Sequence, residues 1–357
     1  MAERPALVDW TLAERIAVRV AGTEPFAGSY HADSLTPDFT ELTAEAEGLV
    51  TAETGLASLQ GPARARVTDR AGWVRANIAS FQRLLRPLTD KLGDRMGSGP
   101  LTSLTRAAAG AEVGALLGWM STRVLGQYDL LVVEDDRPDE QDLVYYVGPN
   151  VLGLEKRFGF PPREFRLWLA LHEVTHRAQF TGVPWLRSHF LGLVDETLGS
   201  VDPDPTRIVH ALGRVADGLR TGRNPLADGG LAHLLATPAQ ADALDRVAGM
   251  MSLLEGHGDV TMDRAGAHLI PSAARFSRVL RARRRSVSPA MRLLQQLLGL
   301  EAKLHQYEQG ERFIEAVEKA GGPELVNRAF EAPDNLPTLA EIRAPDRWIT
   351  RIDPNVR

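Results

Sequence analysis

Apolar and polar positions alternate mostly with the period of a helix. Apolar residues recur every three to four positions over 6–22, 36–59, 67–92 and 103–124, and the spacing predicts an amphipathic helix in each. Thr36 before Pro37 is the cap expected for the second. Trp73, Ile78, Phe81, Leu84 and Leu85 mark the buried face of the third, which Pro87 kinks or ends. The pattern then changes. "YDLLVVEDD" (128–136) and "DLVYYVGPNV" (142–151) are rich in β-branched and aromatic residues and predict two strands, a hairpin or neighbours in a small antiparallel sheet. Helical spacing returns from Pro161 or Pro162 to about Phe180, and again over 205–221, 238–265, 289–298 and 300–319, with a break near Gly310. Pro333, Pro337, Pro345 and Pro354 predict an extended tail over 331–357. The fold class expected is mainly α with a small antiparallel β-sheet (α+β). Its expected parts are a helical portion over 1–125, a core over 126–330 and the tail.

Composition narrows the chemistry. The chain has 357 residues, of which 44% are hydrophobic and only 6% aromatic, enough for a sizeable core built mostly from Ala, Leu and Val. A net charge of −5 gives no general attraction to nucleic acid. With no cysteine, disulfides, thiolate metal sites, iron–sulfur clusters and cysteine nucleophiles are excluded, so any metal must be held by histidine and carboxylate. The start "MAERPALVDWTLAERIAVRVAG" lacks the basic and apolar regions of a signal peptide. The most apolar stretch, "AAAGAEVGALLGWM", has 14 residues and contains Glu112, too short and too charged to span a bilayer. A cytoplasmic protein with neither nucleic-acid nor membrane partner is expected.

The segment "LWLALHEVTHRAQF" (167–180) carries the strongest chemical signal. His172 and His176 are one helical turn apart on one face and can hold a single ion through their imidazoles. Glu173 is angled so that its carboxylate reaches a water beside the ion rather than the ion itself. The neighbours Leu167, Leu169, Ala170, Leu171, Val174 and Ala178 predict a buried helix, where two histidines and a glutamate are costly without a partner. A third ligand is needed. A third histidine six residues after His176 is excluded because that position is Gly182. Glu196 follows His176 by twenty residues, but in "VDETLGSVDPDP", which reads as turn-like. Glu255 is favoured, because Ala248, Met251, Glu255, Asp259 and Met262 form one stripe of an apolar helix. In that reading Asp259 is the carboxylate that bonds a ligand histidine from behind. His257 projects elsewhere on the same helix, toward a cleft or toward solvent.

Longer segments extend this signal. "RAGWVRANIASFQRLLRPL", "VLGQYDL", "YYVGPNVLGLEKRFGFPPREFRLWLALHEVTHRAQFTGVPWLR", "LLEGHGDVTMD" and "LGLEAKLHQYEQGERFIEAV" resemble the zincin-like metallopeptidase family common in actinobacteria. Its members are labelled zinc-dependent metalloproteases or hydrolases, or proteins associated with deazaflavin-coenzyme biosynthesis. The likeness covers roughly residues 8 to 330. It implies a zincin-like core with an added helical portion. By position it supports His172, His176 and Glu255 as zinc ligands and Glu173 as base.

Other residues fit that chemistry less sharply. Tyr307, four residues after Lys303, could donate to an oxyanion, or simply pack at a helix end. The arginines between Arg275 and Arg285 could bind an anion, or form a solvated helix face. "YYVGPN" could be an edge strand that pairs with a peptide, or an interior strand. The expectation is a Zn²⁺-dependent hydrolase, most simply a metallopeptidase acting on a peptide or protein. Its rival is a non-catalytic zincin-fold module with structural zinc. An intact Glu173 favours catalysis, since a structural site needs no base.

Overall fold

The computed structural model describes residues 7–24, 26–85, 89, 100–130, 142–199, 237–285 and 300–355. The helices expected over 205–221 and 289–298 lie outside the described residues. The chain divides into two compact units, Met1–Gly182 with Thr261–Ala273, and Val183–Val260 with Ala274–Arg357. The division therefore falls just after the histidine helix rather than at residue 125.

In the first unit, helix α1 (Trp10–Ala21) opens with Asp9, whose carboxylate accepts from the Leu12 N–H. The short α2 (Tyr30–Asp33) leads into α3 (Leu35–Thr54), which follows Ser34 and so starts just before the expected Thr36–Pro37 cap. Strand β1 (Arg64–Thr68) precedes α4 (Arg70–Leu84), where one long helix was expected from 67. Its alternation of Arg64, Ala65, Arg66 and Val67 is a short strand signal beside a longer helical one. Helix α5 (Pro100–Ser121) lies against α1 along Gly110, Gly114 and Gly118: a Cβ on Gly114 would come 2.4 Å from the Ala13 carbonyl oxygen. Small residues at this spacing let two backbones touch. Ala17, Trp73, Val74, Ile78, Leu117 and Val147 form the core between these elements and the sheet.

Strands β2 (Gly126–Tyr128) and β3 (Leu143–Val147) complete a three-stranded sheet of order β1-β3-β2. The expected antiparallel pairing holds for β2 with β3, but β1 runs parallel to β3, so the sheet is mixed. The crossover between β1 and β3 supplies the length a parallel pair requires. "YYVGPN" is not an edge: β3 is central, which explains why Leu143, Val144, Tyr146 and Val147 are all buried. It also ends at Val147, and Gly148 begins α6 (Gly148–Phe158), with Pro149 in its first turn. Much of the stretch 128–136 lies outside the described residues. Helix α7 (Pro162–Gly182) then runs as the apolar period predicts.

The second unit contains α8 (Leu186–Gly199), α9 (Pro238–Ala265, of which residues to Val260 belong here), α10 (Ala273–Arg285) and α11 (Leu300–Asn327). The break in α11 falls at Gly322, with φ 75°, directly before Pro323, and not at Gly310. Gly310 is instead a packing position, where a Cβ would come 2.0 Å from the Ser252 carbonyl oxygen. The tail is not extended. It forms α12 (Leu339–Arg343) and α13 (Pro345–Ile352), with Trp348 buried against Phe313 at 5.3 Å between ring centres. Pro345 starts a helix rather than breaking one. Thr338 and Glu341 form a capping box, and Arg351 bonds the same glutamate at 2.7 Å. Burial alone would raise the Glu341 pKa. The hydrogen bonds from Arg351 and Thr338 outweigh it and hold the carboxyl below its ordinary value.

Candidate metal centre

Helix α7 is buried along nearly its whole length, so each polar side chain on it needs a partner. Near its start, Arg166 is 3% exposed and bonds Glu155 through two nitrogens at 2.8 and 2.9 Å, with Asp38 as a further ion-pair partner. Burial pulls the Arg166 pKa down, but these carboxylates outweigh it and hold it above the ordinary value. Near its end, Arg177 is 1% exposed, donates to Asp142 at 2.6 Å and Glu47 at 2.6 Å, and caps the Gly61 carbonyl. These arginines tie α7 to α3, to α6 and to the residue before β3.

Between the two arginines stand the predicted histidines. The Nε2 atoms of His172 and His176 lie 3.2 Å apart, with the rings nearly perpendicular at 83°. Two nitrogens bound tetrahedrally to one zinc at about 2.0–2.1 Å would be about 3.3 Å apart. The pair therefore fits a zinc ion without rearrangement. Gln179 decides the tautomer. Its buried side-chain oxygen sits 3.0 Å from the His176 Nδ1, and an amide oxygen can only accept, so Nδ1 carries the hydrogen. That leaves a lone pair on the His176 Nε2, directed at the His172 Nε2.

Glu173 is held by the sheet. It is 8% exposed, and its Oε2 accepts a hydrogen bond from the Tyr128 backbone N–H at 3.1 Å. Nearby, Tyr146 stacks on Phe39 and bonds Thr43 at 2.9 Å. Burial pushes its phenol pKa far up; the Thr43 bond opposes this and the Glu173 charge adds to it, so the phenol stays neutral.

The remaining predicted residues fall in the second unit. Glu255 is buried on α9, and Asp259 lies one turn later on the same helix. His257 does not face solvent: it is 7% exposed and packs edge-on against Phe330. Glu196 is helical, contrary to the turn-like reading, since α8 continues to Gly199. Its carboxylate is committed to Arg246, with both oxygens at 2.8 Å, on an exposed surface. Tyr307 and Lys303 fall on α11, but their side chains lie outside the described residues. Arg281 of the basic run pairs with Glu311 at 3.4 Å and is half exposed, as a solvated face would be.

Two contributors escaped the sequence reading. Gln179 had a legible signal, since a residue three after His176 lies on the same helix face. The Tyr128 N–H had none, because a backbone donor leaves no mark on residue identity. Among the described residues, no helix is long and apolar enough to cross a membrane.

Comparison with known proteins gives the family. The sequence profile of the family described as "Zincin-like metallopeptidase" matches residues 8–349. No curated protein matches the chain. Among solved structures, the chain is similar to a hydrolase candidate with a novel fold from Chloroflexus aurantiacus, at 30% identity and a TM-score of 0.70, over 97% of this chain and 99% of that one. Both likenesses support a hydrolase. With the profile spanning nearly the whole sequence around paired imidazoles spaced for one ion, the chain belongs to the zincin-like metallopeptidase family.

Proposed function

We propose that the protein is a zinc-dependent metallopeptidase, with a peptide or protein as substrate. The observation that carries the proposal is the 3.2 Å separation of the His172 and His176 Nε2 atoms, one of which Gln179 fixes as a lone pair. That lone pair is turned toward the second imidazole nitrogen, and a cation held by both nitrogens would take the place of the contact between them. Glu255 is the proposed third ligand. Its place on the apolar stripe of α9 with Ala248, Met251, Asp259 and Met262 supports this. Two nitrogens and one carboxylate oxygen, with no sulfur, suit zinc well. Glu196 is less suited, because both of its oxygens already accept from Arg246 and that two-oxygen bond would have to break.

When bound, zinc supplies Lewis acidity that brings a water's pKa toward neutrality and polarises a carbonyl. The protein's own part is proton movement and placement. Glu173 receives the proton of the attacking water on a carboxylate oxygen and delivers it to the nitrogen of the leaving amine. Its bond to the Tyr128 N–H limits the orientations the carboxylate can take. The buried flank of α7 keeps bulk water from competing for that proton.

The test is Glu173→Gln, which keeps shape and polarity but cannot take the proton. Purified wild type and variant should each hold about one zinc per chain. Digestion of a broad peptide library should be at least ~10²-fold slower with the variant. Equal digestion by both would rule out Glu173 as the base. Zinc bound by both with digestion by neither would favour the non-catalytic module.

A further inference from the structure

Among the described residues, strand β2 ends the sheet on one side, since the order is β1-β3-β2. Its ladder to β3 uses the Leu125 carbonyl, which accepts from Val147 N–H at 2.9 Å, and the Asp129 N–H, which donates to Leu143 at 3.1 Å. In an antiparallel pair the residues between such positions turn their backbone groups outward. Gly126 and Tyr128 are those residues. An outward N–H on a buried edge needs an acceptor, and the Tyr128 N–H meets the Glu173 Oε2 at 3.1 Å.

Gly126 lies two residues earlier, on the same face of the strand as Tyr128. A Cβ built on it would stand 2.7 Å from the Glu173 Cγ, 2.9 Å from its Oε1 and 3.0 Å from its Cδ. Carbon atoms in ordinary contact keep about 3.5–4.0 Å. The three nearest atoms to that position all belong to Glu173. Gly126 is absent from the glycines with positive φ, so its backbone conformation is open to any residue. The need for glycine comes from the carboxylate, not from the chain's turn.

We propose that Gly126 and the Tyr128 N–H form a clamp on Glu173, which makes Gly126 a positioning residue for the proton transfer. The space left by the missing Cβ receives the Cγ and carboxyl group, and the N–H fixes one oxygen. A methyl group at 126 displaces the carboxylate from the edge of β2. The catalytic half of this inference rests on the function proposed above; the clamp itself rests on the strand geometry alone. A displacement of about 1 Å at a reacting group can cost ~10²-fold in rate.

The experiment uses four zinc-loaded full-length chains: wild type, Gly126→Ala, Glu173→Ala and the double variant. The first readout is amide hydrogen exchange at Tyr128. Removing the acceptor in Glu173→Ala should lower protection about 10-fold or more, as for a bond to a charged group. Gly126→Ala should lower it to the same level, and the double variant no further. Wild-type protection in Gly126→Ala overturns the clamp, and so do additive losses in the double variant, which would mean that glycine serves the backbone. If Gly126→Ala fails to fold, a folded double variant supports the steric conflict with Glu173, and an unfolded one overturns it. The second readout is hydrolysis of the peptide that wild type cleaves fastest in a library digest. Gly126→Ala should lower kcat at least ~10-fold and leave KM nearly unchanged, the signature of an interaction used in the transition state. A released Tyr128 amide with unchanged kcat overturns the positioning role. Full activity in Glu173→Gln, or no hydrolysis by wild type, removes the proton-transfer reading while the Tyr128 exchange still decides the clamp.

Discussion

The two ends of helix α7 and its middle bury ionisable groups in different ways. At the ends, Arg166 and Arg177 each face carboxylates already in place, Glu155 with Asp38 and Asp142 with Glu47. Those groups are complete as ion pairs and hold the helix to its neighbours. In the middle, His172 and His176 face each other, nitrogen to nitrogen, and the carboxylate between them in sequence accepts from the Tyr128 N–H of the sheet. Like groups brought together in a buried helix are a poor way to stabilise a fold and a good way to hold a cation. The ends secure the helix; the middle, in the function proposed, holds an ion. If that distinction is right, changes at the two places fail differently.

The largest effect expected is on metal content. His172→Ala with His176→Ala should remove the bound zinc entirely, measured as metal per purified chain, while circular dichroism shows the helix content retained. Glu255→Ala should weaken zinc binding strongly and Glu196→Ala should leave it unchanged, because Glu196 is already engaged by Arg246. A double-histidine variant that keeps a full zinc equivalent would erase the distinction between middle and ends. Reversed results for the two glutamates would move the third ligand to Glu196.

The next effect is on stability. Arg177→Ala leaves the Asp142 carboxylate, 11% exposed, without its main partner. Loss of one member of a buried pair typically destabilises by about 3–5 kcal/mol. Denaturant unfolding should show a loss of that order, with the folded fraction still binding one zinc. Lost zinc at full stability would place Arg177 in the metal's service and contradict the comparison.

Legibility in the sequence followed the same division. The middle of α7 is legible as a candidate because metal binding demands particular residues at fixed spacing, and His172, Glu173 and His176 stand on one helical turn. The long helices were readable where one face is buried, as for 238–265, which matches α9. The ends of α7 were not read as ion networks, because Arg166 meets Asp38 and Arg177 meets Glu47 across more than a hundred residues, and pairing at that distance leaves no local period. Strand β1 was missed for a related reason. Its place in the sheet is set by pairing with β3, and five residues of weak alternation do not compete with the helical signal that follows. The tail departs from the extended form its prolines predict because proline also fits the first turn of a helix, and Pro345 opens one.

The smallest effect separates the ligands from what supports them. Gln179 is fully buried and meets the His176 Nδ1 at 3.0 Å. Its carbonyl oxygen keeps the hydrogen on Nδ1, and so keeps a lone pair on the Nε2 that faces His172. Gln179→Ala removes that constraint without removing a ligand. Partners of this kind are worth about 10- to 100-fold in metal affinity. Zinc competition with a chelator should show a loss in that range, well short of the complete loss from the double-histidine change. Gln179→Glu is the informative companion, since a carboxylate accepts from Nδ1 as an amide oxygen does. It should recover most of the affinity. If Gln179→Ala binds zinc as tightly as wild type, the imidazole is oriented by packing on α7 alone. If Gln179→Glu fails together with Gln179→Ala, the glutamine's role is to fill space rather than to accept a hydrogen bond.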